Sequence, residues 1–332
     1  MRRRSCASPG APDLSTRVGE VRLANPVMTA SGTSGHGTEL GPWVDLGRLG
    51  AVVVKSLSAQ PWPGNPGPRL VPLPAGMLNS VGLQGPGVDA WAEEHLPALV
   101  AASATVVVSL WGRSVAGFRD AAEALSAHLA PAVAAVEANI SCPNLEDRRR
   151  IFAHDPRAAA AAVAAVVEGL GGARPVWAKL SPNVTDLTEV AGAVLDAGAG
   201  ALTLVNTLMG LSLDPATGRS RLGGGGGGLS GPALHPVAVR AVHEVRAAFP
   251  SAAIVGVGGV STGADAAELI AAGADAIQVG TASFADPRAP ALVLDELAGW
   301  CRSQGVTRLS ELKGRSHARA GRGDGRAGPS HG

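Results

Sequence analysis

Short apolar, β-branched runs alternate along the chain with segments that have the residue pattern of helices. Continuous apolar runs are typical of parallel strands buried on both faces. Eight such runs are found, over 25–31, 51–56, 105–110, 136–141, 176–181, 201–206, 253–258 and 276–281. Helices are predicted over 156–170, 187–197, 236–248 and 263–272, the first capped by Asp155. Eight strand–helix repeats predict a (β/α)8 TIM barrel, whereas a doubly wound sheet is usually smaller or split into halves.

Nearly every run ends in polar or glycine residues, which indicates where the chemistry lies. In a barrel the carboxyl ends of the strands converge on one rim, and barrel active sites lie at that rim. The residues at the ends of the runs are, in chain order, Ala30-Ser31-Gly32, Lys55-Ser56, Ser109, Asn139 with Cys142, Lys179, Asn206-Thr207, Gly258-Gly259 and Gly280-Thr281. We therefore expect one site built from several strand ends.

Charge and cysteine content narrow the function classes. Without 1–12 and 314–332 the chain keeps 21 basic and 26 acidic residues, a net charge of about −5, which argues against a nucleic-acid surface. We expect a flexible basic extension over 1–16, a barrel domain over 17–312 and a disordered Gly/Arg-rich tail over 313–332. The three cysteines have no disulfide or metal-ligand spacing. No stretch resembles a membrane span or a signal peptide, so a cytoplasmic protein is expected.

The segment Asn139-Ile140-Ser141-Cys142-Pro143-Asn144 carries the sharpest chemical signal. It places one thiol between two carboxamides and just before a rigid proline. Carboxamides can bind a flat ring that bears carbonyls and N–H groups, and a thiol with a tuned pKa can remove a proton. The alternative is a small apolar cysteine in a core, beside two turn-forming asparagines.

Glycines and lysines at the strand ends point to an anionic ligand. Gly258-Gly259 and Gly280-Thr281, with Gly231 before them, allow close approach of backbone N–H groups to a phosphate. Lys55 and Lys179 are expensive to desolvate at a barrel mouth unless an anion accompanies them.

Two connections, 57–104 and 207–235, are long enough to be functional. The second contains six consecutive glycines, 223–228, which we interpret as a flexible low-complexity run in preference to a phosphate cradle.

Taken together, these residues resemble the soluble class 1 dihydroorotate dehydrogenases, FMN-dependent (β/α)8 enzymes of pyrimidine biosynthesis. The resemblance covers roughly 17–300 and keeps the family's order throughout. It rests on Asn25-Pro26, Ala30-Ser31-Gly32, Lys55-Ser56, Asn79-Ser80-Val81-Gly82-Leu83, Asn139 to Asn144, Lys179 to Asn183, Asn206-Thr207, Gly228 to Pro232, Gly258-Gly259 and Gly280-Thr281.

The resemblance implies roles for many of these positions. Cys142 would take a proton from C5 of dihydroorotate while hydride leaves C6 for the flavin, and Lys55 would contact both flavin and substrate. The other implied substrate contacts are Asn79, Ser80, Val81, Gly82, Leu83, Asn139, Asn144, Asn206 and Thr207. The implied FMN contacts are Ala30, Ser31, Gly32, Lys55, Ser56, Ser109, Asn139, Lys179, Val205, Gly231, Gly258, Gly259, Gly280 and Thr281.

Within the family, Val81 and Asn206-Thr207 are similar to subtype 1B, which passes electrons to NAD⁺ through a second subunit carrying FAD and a 2Fe–2S cluster. The chain itself has no dinucleotide fingerprint, so the resemblance implies that second subunit as a partner. The expected assembly is a homodimer of this chain or a heterotetramer that includes the partner. Two departures stand out: Ser109 replaces the family's usual asparagine, and the 145–150 loop is unusually charged.

Three other interpretations stay open at this stage. A dihydropyrimidine dehydrogenase would act on dihydrouracil or dihydrothymine. A flavin-free barrel aldolase or isomerase on a sugar phosphate would explain the glycines but not Cys142 and its flanking asparagines. A degenerate barrel that only binds partners would explain the altered loop and the tails.

Overall fold

The computed structural model describes residues 10–141 and 151–320, and its strands fall into three sheets. In chain order the strands are β1 (Thr16–Val18), β2 (Val21–Leu23), β3 (Val27–Thr29), β4 (Val52–Val53), β5 (Leu70–Leu73), β6 (Gly76–Asn79), β7 (Val106–Leu110), β8 (Val133–Asn139), β9 (Val176–Lys179), β10 (Ala201–Leu204), β11 (Leu208–Gly210), β12 (Gly227–Ser230), β13 (Ile254–Val257) and β14 (Ala276–Val279).

Eight parallel strands form the barrel, in the order β3-β14-β13-β10-β9-β8-β7-β4. A parallel bridge between Met28 and Ala51 joins β3 to β4, and Thr29 N–H donates to the carbonyl of Ala51 at 3.2 Å. Each strand lies within its predicted run, apart from β8, which begins at Val133. The predicted (β/α)8 barrel is therefore confirmed.

Helices follow the barrel strands and pack outside them. They are α1 (Val88–Glu94), α2 (Leu96–Ala101), α3 (Val115–Ser126), α4 (Pro156–Leu170), α5 (Leu187–Asp196), α6 (His235–Ala248), α7 (Gly263–Ala272), α8 (Ala282–Ala285), α9 (Ala289–Ser303) and α10 (Arg315–Ala320). The expected cap of α4 is present, because Asp155 Oδ1 accepts from the N–H groups of Arg157 and Ala158. The alanine-rich face of α4 is buried against the barrel and α3.

The barrel interior is layered, and the layers position the site. Side chains at alternate positions of a strand face the same side. The lower layer is apolar and includes Val107, Ala135 and Trp177, all fully buried. Two positions further along β8 and β9, the same face carries Glu137 and Lys179. The upper interior is therefore polar and sits directly below the rim where the strands end.

The two long connections meet in one antiparallel sheet, ordered β11-β12-β6-β5. Gly227–Ser230 is a strand of this sheet, so the last two of the six glycines are part of a β-sheet, and the interpretation of the run as flexible low complexity is wrong for them. A Cβ at Gly223 would lie 2.4 Å from the carbonyl oxygen of Gly67, and one at Gly224 would lie 2.4 Å from Ser80 Oγ. Neighbouring chain segments therefore pack closely against Gly223 and Gly224.

Residues near both ends of the described chain are hydrogen-bonded to the barrel domain. Asp13 N–H donates to the carbonyl of Thr307 at 2.9 Å, although 1–16 was expected to be a flexible extension. At the other end α10 lies within the segment expected to be disordered, and Gly314 N–H donates to the carbonyl of Ile270 at 3.0 Å. Residues 1–9 and 321–332 lie outside the described residues. No helix in the described part of the chain is long and apolar enough to cross a bilayer.

Candidate active site

A chain of side-chain hydrogen bonds crosses the rim and joins the ends of five barrel strands. Ser56 Oγ is its centre and lies 3.2 Å from Ser31 Oγ and 2.8 Å from Ser109 Oγ. Asn139 Nδ2 donates to Ser56 Oγ at 3.0 Å, and Asn206 Nδ2 donates to Asn139 Oδ1 at 3.3 Å. Convergence of the strand ends is therefore confirmed for these five residues.

Burial divides the sequence-predicted residues into two groups. Those partly open to solvent are Ser31, Gly32, Lys55, Asn79, Val81, Gly82, Leu83, Asn206, Thr207, Gly259, Gly280 and Thr281. Those buried beneath or beside them are Ala30, Ser56, Ser80, Ser109, Asn139, Lys179, Val205, Gly231 and Gly258. Cys142 and Asn144, like the 145–150 loop, lie outside the described residues.

Ser109 is one of the buried residues, and its place as an FMN contact stays a prediction. It is 0% exposed, and its hydroxyl is hydrogen-bonded to Ser56. It therefore supports the partly open residues from below through Ser56. A longer asparagine side chain at this strand end would reach further toward the rim.

Lys55 is a half-buried cation at the rim. Burial lowers its pKa, and the positive charge of Arg69 lowers it further. No carboxylate pairs with Lys55 within 10–141 and 151–320. The arrangement can therefore receive an anionic ligand that supplies the missing counter-charge.

Lys179 is buried and belongs to a separate polar cluster inside the barrel. Its Nζ lies 3.5 Å from Glu137 Oε1 and 3.4 Å from Gln278 Oε1. Glu137 also accepts hydrogen bonds from Thr203 Oγ1 and Gln278 Nε2. Lys179 pairs with Asn139 across β8 and β9, and Glu137 lies two positions before Asn139 on β8, so the cluster extends downward from the level of Asn139.

The ends of β13 and β14 present backbone donors. The N–H groups of Gly259, Gly280 and Thr281 donate to no acceptor in the part of the chain that the structure describes. Gly259 has φ +68°, and a Cβ there would lie 2.7 Å from His235 Cβ. The backbone therefore packs closely here with its donors unused, which fits a phosphate group.

The second sheet supplies the other wall of the rim. Asn79, the last residue of β6, donates from Nδ2 to the carbonyl of Gly228 at 3.2 Å. Thr281 Oγ1 donates to Ser230 Oγ at 2.8 Å, which ties β12 to the end of the last barrel strand. Asn79 to Leu83 and Asn206-Thr207 are thus brought to the same mouth, although they come from different connections.

Sequence reasoning missed several residues that shape this site. Glu137 and Gln278 each precede a predicted rim residue by two positions, and a polar residue inside an apolar strand was the available signal. Asn183 holds the second connection, since its Nδ2 donates to the carbonyl of Thr207 and its Oδ1 accepts from Met209 N–H. Nothing in the sequence pointed to Arg69 as a residue of the site except its position in a long connection.

The described residues offer no cluster of three or more His, Cys, Asp or Glu side chains that could hold a metal ion. As far as the structure describes it, the rim instead combines carboxamides, one lysine without a counter-ion and unused backbone donors. Such a set can bind a flat polar ring beside a ligand with a phosphate group, and both are held on rigid strand ends.

Comparison with known proteins gives one consistent family. The family model described as dihydroorotate dehydrogenase matches residues 13–300. The catalytic subunit of dihydroorotate dehydrogenase B (NAD(+)) from Geotalea uraniireducens strain Rf4 is 45% identical over 305 residues, which are 92% of this chain and 98% of that protein. The subunits of that name from Geobacter sulfurreducens and Geotalea daltonii are 45% and 44% identical over 303 residues, 91% of this chain and 98% of each relative.

Proposed function

The chain belongs to the dihydroorotate dehydrogenase family, and we propose that it oxidises (S)-dihydroorotate to orotate in pyrimidine biosynthesis. The observation that carries the proposal is the rim itself. Within 10–141 and 151–320, Lys55 has no counter-ion there and backbone donors at the last two strands are unused, and carboxamides from two strand ends meet. Dihydroorotate is a ring of carbonyl and N–H groups that bears a carboxylate, so it matches the first two features.

FMN is the cofactor that we assign to this rim. When bound, it supplies the acceptor for the hydride that leaves the substrate. The unused N–H groups of Gly259, Gly280 and Thr281 would hold its phosphate, with Gly231 and Gly258 packed beside them. Ala30, Ser31, Gly32, Ser56 and Val205 would line its ring, and Lys179 would stabilise negative charge on it.

The substrate would lie against the carboxamides. Asn79, Asn139 and Asn206 each have an amide at the rim, and an amide can donate to ring carbonyls and accept from ring N–H groups. Lys55 would bind the carboxylate, because that anion neutralises an ammonium group which burial makes costly. The remaining assigned contacts are Ser80, Val81, Gly82, Leu83, Asn144 and Thr207.

Cys142 is the general base in this proposal, removing the proton from C5. The segment that leads to it is fixed, because Ser141 N–H donates to Asn139 Oδ1 at 3.2 Å. A thiolate is a strong enough base for this proton at neutral pH, whereas a serine hydroxyl needs assistance.

We expect Cys142→Ala to keep FMN and to lose almost all reduction of the flavin by dihydroorotate at neutral pH. Cys142→Ser should keep a small rate that rises with pH. Stopped-flow measurement of flavin bleaching without oxygen checks both. Reduction of Cys142→Ala at the rate of the unsubstituted protein would remove the thiol from the base role.

The physiological electron acceptor in the proposal is NAD⁺, reached through a second subunit. The printed names of the relatives include NAD(+) and describe each as a catalytic subunit. We assign FAD and a 2Fe–2S cluster to the partner. Co-purification from the native source, followed by an assay of NAD⁺ reduction with and without the partner, tests this step.

A test of substrate choice separates the proposal from its nearest rival, a dihydropyrimidine dehydrogenase. Dihydroorotate and dihydrouracil differ by the carboxylate that Lys55 would bind. We expect dihydroorotate alone to bleach the flavin, and we expect Lys55→Met to reduce that preference. Equal bleaching by both compounds would favour the rival, and a purified protein that binds no flavin would favour the flavin-free aldolase or isomerase.

A further inference from the structure

We propose that Glu137 is a positioning residue that holds the Lys179 ammonium group in place below the rim and so affects the bound flavin through that lysine. The proposal rests on the proposed function, because it assumes that FMN binds above Lys179. It concerns a carboxylate that lies in the interior of the barrel and faces no open part of the site.

The carboxylate of Glu137 is fixed in orientation. Its Oε2 accepts from Thr203 Oγ1 at 2.9 Å and from Gln278 Nε2 at 2.8 Å. Glu137, Thr203 and Gln278 are all 0% exposed. Since both donors are on Oε2, the other oxygen is directed toward Lys179, and Oε1 makes no hydrogen bond within the described residues.

Lys179 is held from two sides. Its Nζ is 3.5 Å from Glu137 Oε1 and donates to Gln278 Oε1 at 3.4 Å. An ammonium group has three N–H donors, and within the described residues only Gln278 accepts one of them, so donors remain for a ligand. Lys179 is the last residue of β9 and is 5% exposed, so the cluster reaches the rim only at this side chain.

Gln278 links the two charged groups. Its amide N–H donates to Glu137 and its amide oxygen accepts from Lys179, so each end of the amide faces the appropriate partner. The cluster joins β8, β9, β10 and β14, and Glu137 is the one carboxylate paired with Lys179 in the described chain. Its geometry therefore depends on the rigid barrel and on no loop.

Stability alone does not account for charge at this depth. A buried ion pair is often no more stabilising than well-packed apolar side chains of the same volume. The layer immediately below is built in that apolar way, from residues such as Val107 and Ala135. We therefore infer that the pair is present for its effect on the ligand above it.

The isosteric change Glu137→Gln tests the proposal. Thr203 and Gln278 both donate to one oxygen, so the amide oxygen takes that place and its NH2 group faces the ammonium of Lys179. The ammonium is then displaced and stabilises reduced FMN less well. We expect the dissociation constant of reduced FMN to rise about ten-fold relative to that of oxidised FMN, a coupling typical of residues in direct contact.

A double-mutant cycle with Lys179→Met distinguishes positioning from a direct effect. In the Lys179→Met protein, Glu137→Gln should leave the ratio of the two dissociation constants unchanged. If Glu137→Gln changes the ratio of the two dissociation constants equally with and without Lys179, the proposal is overturned. It is also overturned if the ratio changes in neither background. A relative tightening of reduced FMN would also overturn it, because a carboxylate that acts directly by its charge has that effect when removed.

Thr203→Val provides a second route if Glu137→Gln does not fold. It removes one donor that orients the carboxylate without changing any charge, and it should lower the relative affinity for reduced FMN in the same direction. The conservative variant Thr203→Ser keeps the hydroxyl and should restore the affinity. If neither the unsubstituted protein nor any variant binds FMN, the proposed function is contradicted. If FMN binds but the double-mutant cycle shows no coupling between Glu137 and Lys179, this inference alone is contradicted.

Discussion

At the scale of single residues, Lys55 connects the fold to substrate choice. The chain places this ammonium group at the end of β4, where burial and the charge of Arg69 both lower its pKa from 10.5. A bound carboxylate has the opposite effect, since an anion favours the charged form of a lysine. If Lys55 binds the substrate carboxylate as proposed, substrate binding and protonation of Lys55 are coupled.

The coupling fixes the sign of a pH effect. In the proposed function dihydroorotate binds the protonated form of Lys55, so its affinity should fall as pH rises through the lowered pKa of Lys55. Lys55→Met should raise KM by about a hundred-fold at neutral pH and abolish this fall, since an ion pair in a partly dry site is lost. KM measured across the alkaline range checks both.

Lys313→Met is the matched control for that experiment. Lys313 is paired with Asp275 at the opposite end of the barrel, so its loss should leave KM and the pH profile unchanged. An alkaline fall in affinity that persists in Lys55→Met would assign the titration to another group.

The sequence predicted which individual residues lie at the rim where those residues follow directly at the end of a strand. Lys55, Asn139 and Asn206 were identified because the carboxyl ends of barrel strands converge. The burial of Ser109 under Ser56 was not predictable, because it depends on the stagger between neighbouring strands. The pairing of Glu137 with Lys179 requires knowing that their strands are neighbours and in which register.

At the scale of elements, the second sheet explains why both long connections matter. β5 and β6 come from the first connection, β11 and β12 from the second, and β6 pairs with β12. The length of these connections predicted a functional role. Their pairing was not predictable, since it depends on contacts between segments far apart in sequence, including the close packing of Gly224 on Ser80.

Two alanine substitutions within one glycine run test this packing. A Cβ at Gly224 would lie 2.4 Å from Ser80 Oγ, whereas one at Gly226 would lie 3.4 Å from its nearest neighbour, the carbonyl oxygen of Gly210. We expect Gly224→Ala to cost about 2 kcal/mol of stability and to raise KM, because overpacking displaces the segment that carries Asn79. Thermal unfolding and steady-state kinetics measure the two effects.

Gly226→Ala should leave both quantities nearly unchanged and serves as the control. Equal behaviour of the two variants would mean that the run is as flexible as its composition alone indicates.

At the scale of the whole molecule, the candidate site and the main stabilising ion pairs lie at opposite ends of the barrel. The rim at the carboxyl ends carries the site, while the opposite end is closed by the β1–β2 hairpin, whose Val18 and Leu23 pack on the lower interior layer. Asp275 is the centre of that closed end. It pairs with Arg246 and Lys313, and it accepts from Ile254 N–H at 2.8 Å.

Asp275→Asn should therefore destabilise the protein without affecting catalysis. It leaves the buried Arg246 without its counter-ion, which costs about 3 kcal/mol in comparable pairs. Chemical denaturation gives the change in the free energy of unfolding, and flavin reduction by dihydroorotate should keep its rate.

Asp295→Asn is the surface control. Asp295 pairs with Arg48, and the two side chains are 54% and 48% exposed, so its loss should cost about 0.5 kcal/mol. A similar cost for the two variants would argue against Asp275 as the centre of the closed end.

The most direct test of the account is an anaerobic titration of the FMN-loaded protein with dihydroorotate, following the flavin's visible absorption and the orotate formed. The account predicts that the flavin bleaches with one orotate produced per flavin reduced, and that dihydrouracil produces no bleaching. A protein that takes up FMN at the rim yet forms no orotate and leaves the flavin oxidised would contradict it.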